Sequence, residues 1–359
     1  MLDVTPLLGS PTGMHQLTKG LVEALADRSD VSVAGYAVSA RAPRREMIAV
    51  ASRLGLVVRR SRLPARLCHL GWSLSDRPAL SHLVRDADIV HGTNYSAPPG
   101  LHRLITAPDL TPVTHPQWCS PAVRGTADAL RRAVRRGAHL HVTTQEEAGR
   151  AAEVLDMPRE RVHVVPVGIR AAPPGDGAAA RRLVGSERFV LTLGATEPRK
   201  GLTCLPPAMA RLPADVRLVV AGPRGRHEAV LEAAVESGGI SKRFVRLTEV
   251  DEARKADLLA GATVLAYPSL LEGFGMPPLE AAAAGTAVVA TAVGALTQIL
   301  EPEVSLVPAG DAEAFAERLA EAVAEPLPAP PPVLARIAEL TWAAAAEQFL
   351  GVYGVIASS

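Results

Sequence analysis

Two carboxylates, Glu272 and Glu280, stand eight residues apart in the segment YPSLLEGFGMPPLE, residues 267–280. Glu272 follows a predicted strand, in a turn whose Gly273 and Gly275 let backbone N–H groups approach a ligand closely. The two prolines that follow fit the first turn of a helix, which places Glu280 about one turn into that helix. The unpaired N–H groups and partial positive charge of a helix start suit a diphosphate. Hydroxyls of a sugar and a ribose would occupy the carboxylate oxygens.

A pair of cations, Arg199 and Lys200, occurs in a second turn, LGATEPRKG, residues 193–201. They follow a predicted strand and therefore lie at the sheet edge where ligands bind. Arginine contacts a diphosphate through its planar fork and lysine as a point charge. Both could offset the charge of a leaving phosphate without a metal. No spacing of His, Cys or Asp in the chain indicates a metal site.

Each motif alone has a plainer interpretation. Glu272 and Glu280 also fit a solvated turn and a helix start, and adjacent cations are common on surface turns. The two motifs nevertheless occur in the order, and on the elements, that a single site requires. Together they make chance the poorer explanation.

Strands and helices alternate through both halves of the chain, which predicts two parallel sheets. A turn at residues 9–13 and a helix from His15 to Ala26 follow the first strand. The proline-, glycine- and alanine-rich residues 171–180 are predicted to link two domains, and a last helix to run from Leu334 to Tyr353. The predicted strands lie in LDVTPLL, VSVAGYAV, LGLVVRR, ADIVHGTN, RLITAPDL, HLHVTT and RVHVVPVG, then in RFVLTLGA, VRLVVAGP, FVRLTEV, ATVLAYPS and AVVATAVG.

Composition excludes several classes of protein. The 359 residues exceed what one core usually serves, and 38 Lys+Arg against 37 Asp+Glu argue against a general nucleic-acid binder. Three cysteines, none in a C-x-x-C pair, argue against a disulfide framework and fit a reducing cytosol. The start is not typical of a signal peptide, and no apolar stretch reaches the roughly 20 residues of a membrane span. We expect a cytoplasmic protein whose membrane contact, if any, is peripheral at the inner face.

The segments GATEPRKG, LVVAGP and YPSLLEGFGMPPLEAAAAGTAVVATAVGAL resemble family 4 glycosyltransferases of the GT-B fold. The likeness is specific over residues 188–310 and looser over the first half. It implies an α/β protein with two doubly wound, Rossmann-like parallel sheets facing a cleft, and a C-terminal helix that crosses back to the first domain. The implied domains are residues 1–170 for the acceptor, 171–335 for the nucleotide sugar, and 336–359 for the returning helix.

The resemblance also implies a function and a set of site residues. The family transfers a sugar from a nucleotide donor with retention at the anomeric carbon and needs no divalent metal or other cofactor. Arg199 and Lys200 would bind the diphosphate, Glu272 the sugar hydroxyls and Glu280 the ribose. Further contacts are implied for Gly273, Phe274, Gly275 and Met276 through their backbones, for Val250 beside the base, and for Gly13 from the opposite wall.

The sequence departs from this family in its first half. Pro108 stands where members often have a histidine near the reacting sugar, and proline cannot donate a proton. Asp109 or His115 could replace that histidine, or the departing phosphate could accept the acceptor's proton. The turn at residues 12–16 and the pair Thr297-Gln298 also differ from the usual pattern.

The leading interpretation is a hexosyltransferase acting on a glycan, glycolipid or small molecule. GDP-mannose is the first donor predicted and a UDP-sugar the second. The departures in the first half support an alternative, a catalytically silent homologue that binds a nucleotide sugar as a partner protein. A nucleotide-sugar epimerase or a phosphorylase fits less well.

Three other groups have two interpretations each. The strand-end residues His91, Asn94 and Tyr95 could bind the acceptor or cap a loop. The arginines of residues 131–136 lie on one helical side, as a docking patch for anionic lipid or a phosphorylated acceptor, or as a solvated face. The arginines of residues 59–66 present the same choice.

Overall fold

The computed structural model describes residues 1–8, 12–100, 102–170 and 173–359. It divides into two compact units, one made of Met1–Gly168 with Leu340–Ser359 and the other of Ile169–Glu339. Residues 9–11 of the predicted turn and residues 171 and 172 of the predicted linker lie outside the described residues.

The first unit contains a seven-stranded parallel sheet in the order β3-β2-β1-β4-β5-β6-β7. Consecutive residues of one strand face opposite sides of the sheet and belong to different hydrophobic cores. Ile105 shares a core with Trp72 and Leu130. Leu104 shares the other core with Leu21 and Phe349. Both faces of the sheet are therefore covered, as parallel sheets require. The strands are β1 Leu2–Asp3, β2 Gly35–Val38, β3 Val58–Ser61, β4 Val90–Gly92, β5 Arg103–Thr106, β6 His139–Val142 and β7 Val162–Val164.

Helices of the first unit lie on both faces of this sheet. Side-chain caps begin several of them: the Thr12 hydroxyl accepts from the N–H of His15, and the Thr144 hydroxyl accepts from the N–H of Glu147. The helices that precede the second unit are α1 Gly13–Ala26, α2 Arg44–Leu54, α3 Ala65–Leu74, α4 Ser81–Val84, α5 Thr111–Thr114, α6 Pro121–Arg124, α7 Thr126–Arg135 and α8 Gln145–Val154.

The second unit contains a five-stranded parallel sheet in the order β10-β9-β8-β11-β12. Its strands are β8 Phe189–Leu193, β9 Arg217–Ala221, β10 Phe244–Leu247, β11 Val264–Tyr267 and β12 Ala287–Ala290. Its helices are α9 Gly177–Val184, α10 Leu205–Ala210, α11 Glu228–Ser237, α12 Glu252–Gly261, α13 Met276–Ala283, α14 Leu296–Leu300, α15 Ala312–Ala324 and α16 Pro331–Glu339.

The prediction that residues 171–180 form a linker is wrong for the second half of this stretch. Asp176 caps α9 by accepting from the N–H of Ala179 at 3.0 Å, so residues 177–180 are helical. A Cβ on Gly175 would lie 2.1 Å from the carbonyl oxygen of Ala256, because this stretch packs directly on α12. The small residues of this stretch allow close packing. In the sequence alone, the same glycines and alanines look like those of a flexible linker.

The single last helix predicted from Leu334 to Tyr353 is also wrong. The chain forms α16 and then α17, Trp342–Ala357, bent by 46°. The Thr341 hydroxyl accepts from the N–H of Ala344 at 3.0 Å and so starts a new helix. Arg336 of α16 donates to the carbonyl oxygen of Ile299 in the second unit, whereas α17 packs on α1 in the first. Among the described residues no single helix is long and apolar enough to cross a membrane, and α16 with α17 meets that length and composition only as a bent pair.

The predicted fold class is confirmed. Both halves are parallel sheets with helices on their two faces, and the last helix belongs to the first unit. Most strands are shorter than their apolar segments, because pairing ends where the neighbouring strand ends.

Candidate functional site

The two predicted motifs follow β8 and β11, which are neighbours at the centre of the second sheet. From β8 the chain adds strands on one side, β9 and β10, and then returns to add β11 and β12 on the other. This reversal opens a crevice at the carboxyl ends of β8 and β11, which is where open α/β sheets bind ligands.

The two loops are packed directly on each other. Gly201 has φ +62°, and a Cβ there would lie 2.1 Å from the carbonyl oxygen of Pro268, so only glycine fits. The N–H of Leu270 donates to the carbonyl oxygen of Arg199 at 2.7 Å. Arg199 and Lys200 belong to a short 3-10 turn, Pro198–Lys200, that Gly201 ends. The backbone thus brings the cations against the loop that carries Glu272.

Glu272 forms ion pairs with both cations. Its Oε2 lies 2.6 Å from Nη1 of Arg199, and its Oε1 lies 2.6 Å from Nζ of Lys200. Burial alone would raise the pKa of this carboxyl, but the charges of Arg199 and Lys200 outweigh burial and lower its pKa to about 2. The cluster carries two positive charges and one negative, which leaves an excess of one positive charge.

Two further contacts hold the cations in place. Lys200 Nζ donates to the Tyr267 hydroxyl at 2.9 Å, and burial raises the pKa of that phenol well above its usual range, so it stays neutral. Arg199 Nη1 donates to the carbonyl oxygen of Leu271 at 3.2 Å. Lys200 is 9% exposed, so most of its side chain is covered by these loops.

The N-terminus of α13 offers few backbone donors. Gly275 precedes the helix with φ +95°, and Met276 is its first residue. Pro277 and Pro278 carry no N–H, so of the donors that a helix start leaves unpaired only those of Gly275 and Met276 exist. A backbone contact between the start of α13 and an anion is therefore limited to the N–H groups of Gly275 and Met276.

The backbone before α13 is held from behind. A Cβ on Gly294 would lie 2.9 to 3.1 Å from the carbonyl oxygens of Phe274, Glu272 and Gly273. The N–H of Ala295 donates to the carbonyl oxygen of Phe274 at 3.0 Å. The loop after β12 therefore supports Gly273 and Phe274, for which backbone contacts to sugar and phosphate are predicted.

Glu280 has a cation of its own. Lys255 Nζ lies 3.1 Å from Glu280 and 2.9 Å from Glu252. Burial would lower the pKa of Lys255, but the two carboxylates raise it. The predicted base-contacting residue Val250 is half-buried and precedes Asp251, which caps α12. Lys255 was missed from sequence, because a lysine within an acidic helical segment looks like an ordinary exposed side chain.

A buried ion pair beneath the loops after β8 and β9 was also missed. Glu228 accepts from the Thr196 hydroxyl and, at 2.7 Å, from Nε of Arg246. The Arg246 guanidinium also donates to the carbonyl oxygens of Val220 and Gly222. These contacts position the turn that carries the two cations.

The predicted residues of the first unit have structural contacts. Gly13 is the first residue of α1. The Tyr95 hydroxyl and the N–H of Thr111 each donate to Oδ1 of Asp109 at 2.9 Å. Asp109 therefore organises the loop after β5. His115 stacks on Trp118 with ring centroids 4.3 Å apart.

Glu147 is a buried carboxyl near this loop that the sequence analysis did not single out. It is 2% exposed, and burial raises its pKa to about 7 despite the charge of Arg150 at 2.9 Å. Its position three residues after the cap Thr144 is typical of a helix start, so nothing in the sequence indicates an unusual environment.

A chain of hydrogen bonds crosses the first sheet. His141 Nε2 lies 3.0 Å from the carbonyl oxygen of Val165, which only accepts, so Nε2 carries the proton. It follows that Thr106 donates to His141 Nδ1, His91 Nε2 donates to Thr106, and the Tyr353 hydroxyl donates to His91 Nδ1. Burial lowers the pKa of His141 to about 4 and that of His91 well below its usual value. Both rings are neutral, and His91 connects α17 to the sheet, which favours the structural interpretation of that residue.

Structures of the same fold are known. A sucrose-phosphate synthase from Thermosynechococcus elongatus superposes with a TM-score of 0.77 at 21% identity, covering 100% of this chain and 99% of that one. Anabaena HepE in complex with UDP and glucose superposes with a TM-score of 0.74 at 17% identity, covering 99% and 98%. The two parallel sheets and these neighbours define the GT-B fold.

Sequence comparison identifies the family. Residues 179–338 match the family described as glycosyl transferases group 1, and residues 12–168 match a glycosyl transferase 4-like domain. A D-inositol 3-phosphate glycosyltransferase of Mycobacterium avium is 31% identical over 74% of this chain and 68% of its own length. Another from Xylanimonas cellulosilytica is 36% identical over 52% of this chain, which spans about half the length of that relative, 48%. The chain belongs to the group 1 glycosyltransferases.

Proposed function

We propose that this protein transfers a hexose from a nucleotide diphosphate donor to a hydroxyl of its acceptor, with retention at the anomeric carbon and without a metal. The single observation that carries the proposal is the cluster of Arg199, Lys200 and Glu272 at the switch point of the second sheet. The cations supply the positive charge that a diphosphate needs in the ground state and in the leaving group.

Donor binding would redistribute the contacts of this cluster. The diphosphate would accept hydrogen bonds from Arg199 and Lys200 in place of Glu272. Because its pKa is lowered to about 2, Glu272 stays ionised and can only accept, which suits the hydroxyls of the transferred sugar. Glu280 would accept hydrogen bonds from the ribose hydroxyls in the same way, while its ion pair with Lys255 keeps the carboxylate in position.

The proposal also covers which donor and which acceptor the protein uses. HepE was solved with UDP and glucose, which supports testing UDP-hexoses beside the GDP-mannose predicted from sequence. The names of the two relatives make D-inositol 3-phosphate the first acceptor to test. A cytoplasmic location stays a prediction.

A thermal-shift screen against UDP-, GDP-, ADP- and dTDP-sugars tests the donor site. A donor at 100 times its dissociation constant should stabilise the protein by about 2.7 kcal/mol. Lys200→Ala should abolish the shift. The exposed Lys242→Ala in the same unit is the matched control and should keep it. An unchanged shift in Lys200→Ala would overturn the assignment of the diphosphate site.

Two further arms complete the test. If Lys200→Ala fails to fold because Glu272 loses a partner, the double variant Lys200→Met, Glu272→Gln removes charge of both signs and should fold without binding the donor. Transfer by the wild type should persist in EDTA, and loss of transfer would contradict the metal-free mechanism. Donor binding without turnover on any acceptor would support the silent alternative.

A further inference from the structure

Helix α3 exposes a stripe of leucines to solvent. Leu67, Leu70 and Leu74 are 58%, 57% and 73% exposed, and Leu63, just before the helix, is 41% exposed. These four positions recur at helical spacing on one side, opposite Cys68 and Trp72, which are buried in the core. We call them the α3 leucine stripe. Exposed leucines on a helix whose opposite side is already buried are typical of an interaction site.

Exposed arginines flank the α3 leucine stripe in the chain. Residues 62–77, which include α3, contain three arginines and one carboxylate. Arg62, Arg66 and Arg77 are exposed around α3, and no ion pair of theirs occurs within the part of the chain that the structure describes.

The adjacent helix α7, which packs against α3, adds further positive charge. Arg132 and Arg136 share the carboxylate of Asp76 at the end of α3, at 3.6 and 3.1 Å, and Arg131 pairs with Asp128. Arg135 is exposed, and the described residues provide it with no ion pair. The surface around α3 and α7 thus keeps an excess of positive charge after its internal pairs are counted.

We propose that the α3 leucine stripe and its flanking arginines dock the protein on an anionic lipid bilayer. The leucines would enter the boundary between headgroups and acyl chains, and Arg62 and Arg66 would contact lipid phosphates. A second copy of the chain fits less well, because self-association through this face would bring the exposed arginines of both copies together. The surface lies in the first unit, and its function is independent of the donor site.

Sedimentation with lipid vesicles tests this surface. The full chain should bind vesicles of 70% phosphatidylcholine and 30% phosphatidylglycerol and not vesicles of pure phosphatidylcholine. Leu67→Ser, Leu70→Ser should lower the partition coefficient at least tenfold. Arg62→Gln, Arg66→Gln should lower it roughly 25-fold, since each basic residue near an anionic surface contributes about a fivefold factor.

Controls distinguish the leucine stripe from general stickiness. Leu183→Ser, Val230→Ser alters two residues of the second unit that are 48% and 49% exposed and should leave binding unchanged. Circular dichroism should be unchanged in every variant, because the altered side chains are on the surface. Equal binding to neutral vesicles, no binding at all, or a dimer in sedimentation velocity that Leu67→Ser, Leu70→Ser abolishes would each overturn the proposal.

Discussion

Glu272 uses both oxygens of one buried carboxylate to hold two adjacent cations. The arrangement keeps Arg199 and Lys200 ordered and charged before any ligand arrives, at the cost of engaging the groups that a diphosphate would contact. Removing one member of a buried charged cluster leaves the others unpaired, which costs about 3–5 kcal/mol. The carboxylate therefore affects stability and ligand affinity in opposite directions.

Replacing Glu272 by Gln should separate these two effects. We expect the second unit to lose roughly 3 kcal/mol of unfolding free energy. Affinity for the nucleotide diphosphate should rise about tenfold, or ~1.4 kcal/mol, because the cations no longer have an internal competitor. Transfer should fall about 100-fold, because the acceptor for the sugar hydroxyls loses its charge. Urea unfolding followed by circular dichroism measures the stability, calorimetric titration the affinity, and a transfer assay the activity.

The matched control for this variant is Glu313→Gln. Glu313 also forms an ion pair, with Arg211 in the same unit, but its side chain is 65% exposed. Its replacement should change neither nucleotide affinity nor transfer. Weaker nucleotide binding by Glu272→Gln than by the wild type would contradict the competition that we infer.

Two glycines of the first unit, Gly20 and Gly168, make room for Trp342 at the start of helix α17. A Cβ on Gly20 of α1 would lie 2.0 Å from the Trp342 ring, and a Cβ on Gly168 would lie 2.6 Å from it. Phe349 and Ile356 of the same helix are 2% and 0% exposed. The indole thus fills space that only the absence of a side chain on α1 creates.

Gly20→Ala should destabilise the first unit by roughly 1–3 kcal/mol through overpacking against Trp342. In a Trp342→Ala background the same change should cost less than about 0.5 kcal/mol, because the clash is removed. Urea unfolding followed by the remaining tryptophans measures the coupling. Gly149→Ala in α8 is the control: nothing lies within 4 Å of the added Cβ, so it should not destabilise. Equal costs of Gly20→Ala in both backgrounds would disprove the contact.

The molecule's tryptophans report on one unit alone. Trp72, Trp118 and Trp342 all belong to the first unit, so their fluorescence follows its unfolding and not that of the second. The hydrogen-bonded chain through His91 and His141 lies in the same unit. Its acid sensitivity can therefore be measured in the full chain.

Acid should destabilise the first unit through His141. Its pKa is lowered from 6.5 to about 4 in the folded state, so the unfolded chain binds more protons between these values. Stability is complete above pH 6.5 and falls as the pH drops toward 4, by about 3 kcal/mol. Glu147 and Asp3, whose pKa values burial raises to about 7 and 6, act in the opposite direction.

A comparison of variants isolates the contribution of the histidine. His141→Gln keeps a donor for Val165 and cannot titrate, so its loss of stability between pH 6.5 and 4 should be smaller than that of the wild type by about 3 kcal/mol. His82→Gln, at an exposed position, should keep the wild-type profile. Identical profiles for His141→Gln and the wild type would exclude this histidine as the cause.

Much of the architecture could be predicted from local sequence. Of the twelve strands in the described residues, eleven lie within the predicted segments and β3 extends one residue beyond its segment, to Ser61. Prediction succeeds here because buried parallel strands are short apolar stretches between turn residues. The positions of Glu272, of the prolines of α13 and of the PRKG turn at strand ends were predicted for the same reason. The roles assigned to these residues stay predictions.

Contacts between distant segments could not be predicted. Nothing near Glu272 in the sequence indicates that Lys200, 72 residues away, will share its oxygens. Lys255 and Arg246 lie in segments with ordinary charge patterns. Their partners, Glu280 and Glu228, are brought beside them only by the folding of the second unit. The break between α16 and α17 occurs at Thr341, whose hydroxyl caps α17 within an otherwise helical pattern.

The chain leaves the first unit at Gly168 and returns at Leu340, and Gly168 lies directly against Trp342. In chain order the second unit, residues 169–339, is therefore an insertion into the first. An insertion with neighbouring ends can be exchanged for a homologous one without altering the host's sheet order. The inserted unit and its host can therefore evolve separately, by exchange of a whole unit for another.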